Sequence, residues 1–144
     1  MEGLTLEQLI IALRLQLEKI TDGFDADDAN KKSNLTLKMR TLFLLSVNKE
    51  LTPSKLIADL GLAKSNLTIL CRSLLEEGLI AVRKSETDKR TISYILTNKG
   101  EKQLKNYLNQ IKIDNIGLFK SDKNVKAIEK KIAELMKLLN KRKW

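Results

Sequence analysis

Twelve residues near the middle of the chain, LTPSKLIADLGL (51–62), constrain the fold more than any other stretch. Thr52 can cap a helix, and Pro53 suits the first helical position, where its missing N–H costs nothing. Leu51 can staple against Leu56 across that start. Gly61 ends the helix by supplying a left-handed residue. A second apolar-periodic run, KSNLTILCRSLLEEG (64–78), follows after a gap of a few residues. In it Leu67, Leu70, Cys71 and Leu74 share one face and Gly78 is the stop. Two short helices across a tight glycine turn are a helix-turn-helix. Ala63 stands where a Ser or Thr cap is expected, so the start of the second helix is fixed only to within a residue or two.

The flanks are helical too. Leu6, Leu9, Ile10, Leu13, Leu17 and Ile20 recur at helical spacing, which predicts a helix over roughly 5–21. DGFDADDANKKSN (22–34) reads as a polar, turn-rich connector. From Leu35 to Val47 apolar residues surround most of a helix, the pattern of a buried central helix. LIAVRK (79–84) and TISYIL (91–96) are β-type runs joined by a charged tip, a hairpin with a long loop. Thr97 can cap a helix in which Leu104, Leu108 and Ile111 face inward. After a break at LFKSDKN, the residues Val125, Ile128, Ile132, Leu135 and Leu139 form a coiled-coil-like seam.

Composition bounds the chemistry. At 144 residues, 42% hydrophobic and 31% charged, the chain is expected to be one folded domain. With one cysteine, Cys71, and no histidine, it lacks the means for an intrachain disulfide, a cysteine- or imidazole-based metal site, or the usual general base. No catalysis and no cofactor are expected. MEGLTLEQL has no signal-peptide pattern and no run is long enough to span a membrane, so a cytoplasmic protein is expected. The net charge of +9 points to an anionic partner. It is unevenly spread: residues 1–35 hold 4 basic and 7 acidic side chains, whereas residues 36–100 hold 11 and 6. The acidic N-terminal part is unsuited to phosphates; the middle and the C-terminus suit them.

KSETDKRTISYILTNKG (84–100) and the preceding helix-turn-helix together resemble the MarR family of transcriptional regulators (multiple antibiotic resistance regulators). The resemblance covers about residues 35–110. SKLIADLGLAKSNLTILCRSLLEEGLIAVR looks like the family's helix-turn-helix through its first wing strand. Asp88, Arg90, Leu96, Thr97 and Gly100 match its D-x-R…L-T-x-x-G wing signature. What the resemblance implies is a homodimer with interlocked terminal helices, a recognition helix in the major groove and a wing at the neighbouring minor groove. In many members a small-molecule or redox signal alters the spacing of the two reading heads.

In that frame the outer face of the second helix offers Lys64, Ser65, Asn66, Thr68, Ile69 and Arg72 for bases and phosphates. The alternative is an ordinary solvated face. On the wing, Asp88 can orient the Arg90 guanidinium toward a narrow minor groove. Arg83, Lys84 and Lys89 can add phosphate contacts. The alternative is a tip kept soluble by charge. Thr97 and Gly100 are assigned to structure, as a cap and a close-packing position. Cys71, on the apolar face, reads as a core residue, and a redox switch through it is a rival. The basic last helix, with Trp144 at the end, reads as a dimer seam in preference to a membrane-surface helix.

The expected architecture is mainly α with a small β-hairpin wing. A winged helix-turn-helix (35–100) is flanked by dimerisation segments at 1–34 and 101–144. Leu6, Leu9, Leu13, Val125, Ile128, Ile132, Leu135 and Leu139 are the expected dimer residues. The expected function is a homodimeric repressor on a pseudo-palindromic site in double-stranded DNA, with a small-molecule effector as a further candidate partner and no membrane. The rival class is a winged-helix protein-interaction module without DNA binding.

Overall fold

Backbone punctuation places the elements. The computed structural model describes residues 3–21, 29–88 and 90–140. Its elements are α1 (Leu6–Thr21), α2 (Ala29–Val47), α3 (Pro53–Leu60), α4 (Lys64–Glu76), β1 (Ile80–Lys84), β2 (Ile92–Leu96), α5 (Asn98–Asp114) and α6 (Asp122–Leu139). The fold is mainly α with one antiparallel hairpin, a winged helix-turn-helix. Two compact units result: one spans residues 33–108, the other combines residues from 1–32 and 109–143.

In the first unit the Thr52 hydroxyl accepts the Lys55 N–H at 3.3 Å and so caps α3. Gly61 ends that helix at φ 66°, and its N–H returns to the Ile57 carbonyl at 2.9 Å. α4 starts behind Ala63 without any side-chain cap. It ends in a Schellman turn: Gly78 lies at φ 73°, with Gly78 N–H on the Leu75 carbonyl and Leu79 N–H on the Leu74 carbonyl, both at 3.0 Å. Leu42, Leu56 and Leu74 are completely buried, and Leu51, Leu67, Cys71 and Leu104 belong to the same core.

The strands pair from Ile80↔Leu96 to Lys84↔Ile92. A third piece joins them, because Leu51 and Tyr94 exchange backbone hydrogen bonds of 3.1 and 2.8 Å. A single-residue bridge has no periodicity, so nothing in the sequence announces it. Thr97 caps α5 by accepting the Gly100 N–H at 3.0 Å. A Cβ on Gly100 would run into the Leu79 carbonyl and come within 2.6 Å of Leu96 Cδ1, so only glycine lets the helix start this close to the turn.

Three expectations need correction. α2 begins at Ala29, six residues before Leu35, so part of the expected connector is helix. Apolar periodicity marks where a helix gains a buried face, not where its hydrogen-bonded backbone begins. Thr41, Leu42, Leu44 and Leu45 are buried, but Phe43 and Val47 on the same helix are exposed, so its apolar face is narrower than expected. Leu108 is 51% exposed where an inward position was expected, and Ile111 is half-buried.

In the second unit Thr5 and Gln8 form a capping box at the start of α1: Thr5 N–H donates to Gln8 Oε1 at 3.0 Å, and Gln8 N–H to Thr5 Oγ1 at 3.4 Å. The Asn115 side-chain amide donates to the Ile20 and Ile111 carbonyls, both at 2.9 Å. Ser121 caps α6 through the Asn124 N–H at 3.1 Å. Neither α1 nor α6 holds a buried residue. No helix among the described residues is long and apolar enough to cross a membrane.

Candidate nucleic-acid interface

α4 separates its two faces cleanly. Leu67, Cys71 and Leu74 are buried, whereas Lys64, Ser65, Asn66, Thr68, Ile69 and Arg72 are all exposed. The first N–H groups of α4, which like those of any helix have no intrahelical partner, are not taken by a capping side chain, an arrangement suited to an anion. Ile69 is 65% exposed, an apolar side chain standing alone among polar neighbours. Thr68 is less available than its exposure suggests, since its hydroxyl donates to the Lys64 carbonyl at 3.0 Å.

The wing tip, residues 85–91, is built by its own side chains. Ser85 Oγ accepts the N–H groups of Thr87 and Asp88 at 3.3 and 3.2 Å. Asp88 Oδ1 accepts the Arg90 backbone N–H at 3.0 Å, and Oδ2 accepts the Thr91 hydroxyl at 3.1 Å. This corrects the expected role of Asp88. Two residues of separation bring the following amide, not the guanidinium, within reach of the carboxylate, an Asx turn. Asp88 therefore sets the path of the backbone that carries Arg90. Among the described residues no ion pair engages the Arg90 guanidinium, and Arg90 is exposed.

Arg83 is not free in the same way. Its Nη1 lies 3.5 Å from Glu50 Oε2, and that oxygen also accepts the Ser93 hydroxyl at 3.2 Å. Lys84 is exposed and, by strand alternation, points to the face opposite Arg83. Lys89 and Trp144 lie outside the described residues. Glu50 and Ser93 are the residues that sequence reasoning missed. Glu50 precedes the one-residue bridge at Leu51, and no local pattern links it to β2.

A cavity of about 650 Å³ opens between the start of α3, α4 and β2, lined in part by Thr52, Lys64, Thr68, Arg90 and Tyr94. Cys71 is 1% exposed. Burial pushes its thiol pKa above the ordinary value, only partly offset by a hydrogen bond with the Tyr94 hydroxyl. That is the environment of an inert core thiol.

The MarR family model matches residues 35–91, the span from α2 through the wing tip. No curated protein matches the chain by sequence. Solved structures with the same fold include wild-type MarR (apo form) from E. coli, at 16% identity and a TM-score of 0.70, covering 94% of this chain and 99% of that one. A MepR mutant from a multidrug-resistant S. aureus clinical isolate aligns at 16% identity and TM-score 0.70, covering 96% and 100%. A transcriptional regulator from Thermotoga maritima aligns at 19% identity and TM-score 0.61, covering 92% and 93%. The family match thus covers the helix-turn-helix and the wing, and the winged-helix fold of these solved structures extends along nearly the whole chain.

Proposed function

We propose that the chain is a homodimeric, sequence-specific DNA-binding regulator that represses transcription by occluding a promoter at a pseudo-palindromic site. The observation that carries this reading is the joint presentation of an exposed, uncapped recognition helix and an exposed wing Arg90 by one unit. Ser65, Asn66 and Arg72 reach base edges and phosphates in the major groove, and Ile69 packs on a thymine methyl. Arg90 enters the minor groove, with Lys84 and Lys89 on the flanking phosphates.

The dimer is supported by the surface of the second unit. Leu6 is 70% exposed, and Leu9, Leu13, Ile132, Leu135 and Leu139 are also exposed, with Val125 and Ile128 half-buried beside them. So many large apolar side chains facing water call for a partner surface, and a second copy supplies the same stripes. In this reading residues 1–34 and 101–144 dimerise and residues 35–100 read DNA. A dimer sets its two heads one helical turn, about 34 Å, apart. A small-molecule effector fits the reading through the cavity beside α4: Lys64 and Arg90 line it and also face DNA, so occupancy there competes with the operator.

The test is a titration of a labelled duplex at several salt concentrations with the protein and its Arg90→Ala variant. The reading predicts a steep fall of affinity with salt, about 10³–10⁵ between 50 and 200 mM for 6–10 phosphate contacts. The variant should lose roughly 1–3 kcal/mol. A flat salt response would instead identify a protein-interaction module.

A further inference from the structure

Glu50 is an acidic residue at the root of an otherwise basic wing. It precedes Leu51, which bridges Tyr94, while Arg83 and Ser93 are cross-strand partners of β1 and β2. Antiparallel register places Glu50 diagonally from Ser93, on the same face as the Arg83–Ser93 pair and within reach of both side chains. One carboxylate oxygen, Oε2, accepts the Ser93 hydroxyl at 3.2 Å and faces Arg83 Nη1 at 3.5 Å. Ser93 is 8% exposed, so the carboxylate is tethered to a buried hydroxyl instead of being left to drift from the strand.

We propose that Glu50 is an affinity-limiting residue of the DNA interface: anchored by Ser93, it holds Arg83 back from the phosphates. This rests on the DNA-binding reading above and assigns Arg83 a different part in it. A side chain on a wing strand next to DNA would ordinarily contribute one phosphate contact. Here its cation faces a fixed carboxylate, and a phosphate drawn to Arg83 must approach that negative charge. The single, long contact leaves most of the guanidinium donors unused. The pair is thus too loose to serve as a structural clamp, and its consequence is electrostatic. A regulator with such a device binds its operator less tightly than its basic residues allow, which keeps release within reach of a modest signal.

The experiment is the salt dependence of duplex binding for the full chain, Glu50→Gln, Arg83→Ala and the double variant. Glutamine keeps an oxygen for Ser93 and removes the charge. Freeing one cation steepens the slope of log affinity against log salt by about 0.9. Over a tenfold span from 1 M to 0.1 M salt, that difference amounts to a relative gain of roughly eightfold for Glu50→Gln. In the Arg83→Ala background the gain should disappear. Equal or weaker binding by Glu50→Gln overturns the inference, as does a gain undiminished without Arg83. If the unaltered protein shows no salt-sensitive duplex binding at all, the DNA reading falls and this inference falls with it.

Discussion

Replacing Thr97 by valine removes one oxygen and almost no volume, and it should destabilise the 33–108 unit by about 2 kcal/mol. The hydroxyl accepts the Gly100 N–H at 3.0 Å, capping α5, and donates to the Gly78 carbonyl at 2.7 Å. Gly78 is the left-handed residue that ends α4, so this one group ties the end of α4 to the start of α5. Loss of a Thr cap costs about 1 kcal/mol. Loss of the second hydrogen bond adds roughly 0.5–1.5 kcal/mol, taken near the lower half because the site is partly solvated. With a urea m-value of about 2 kcal/mol/M, the midpoint falls by about 1 M. The assay is equilibrium urea denaturation followed by circular dichroism, at matched protein concentration because association adds to apparent stability. Thr97→Ser retains both bonds and should stay within about 0.5 kcal/mol of the unaltered chain. A valine variant as stable as the original, or a serine variant as unstable as valine, would refute the reasoning.

Other expectations concern assembly and titration. Ile132, on α6, is 46% exposed. Ile132→Glu should preserve helix content yet convert dimer to monomer at micromolar concentration in sedimentation experiments, since burying an Ile contributes about 1.5–3 kcal/mol per copy; an unchanged sedimentation coefficient would exclude α6 from the interface. The Cys71 thiol and Tyr94 phenol both have raised pKa values, burial being the largest cause for each. Both groups are neutral when protonated, so the folded state holds these protons more tightly than the unfolded one. Their contribution is fully present below the ordinary thiol value of 9.0 and is lost as pH climbs past it through the raised values. The urea midpoint should therefore fall between pH 8.5 and about 11, and a midpoint that rises or stays level over that window would contradict the assignment. In native protein at pH 8, Cys71 should react with a thiol reagent at least about a hundredfold more slowly than in denaturant; rapid native labelling would revive the redox reading.

The sequence carried the helix-turn-helix and the hairpin because their boundaries are written in local chemistry. Thr52, Pro53, Gly61 and Gly78 each impose a conformation that depends on few neighbours, and the strands follow from β-branched runs. The exposed face of α4 was legible because Leu67, Cys71 and Leu74 fix the helical phase, leaving Lys64 and Arg72 outside. What stayed hidden depends on residues far apart in sequence or on backbone alone. The extension of α2 back to Ala29 has no apolar stripe to announce it. The Glu50–Ser93 contact joins residues 43 apart. The role of Asp88 was misjudged because charge complementarity suggested the Arg90 guanidinium, while geometry favours the nearer amide.

Selection from a random duplex library by the purified protein, followed by sequencing of the retained DNA, tests the central claim most directly. The account predicts one enriched pseudo-palindrome whose half-sites are centred about one helical turn, 10–10.5 base pairs, apart. Such a result requires both a base-reading helix and a two-fold assembly. Retention of bulk DNA without any enriched sequence, or enrichment of a single half-site with no repeat, would contradict it.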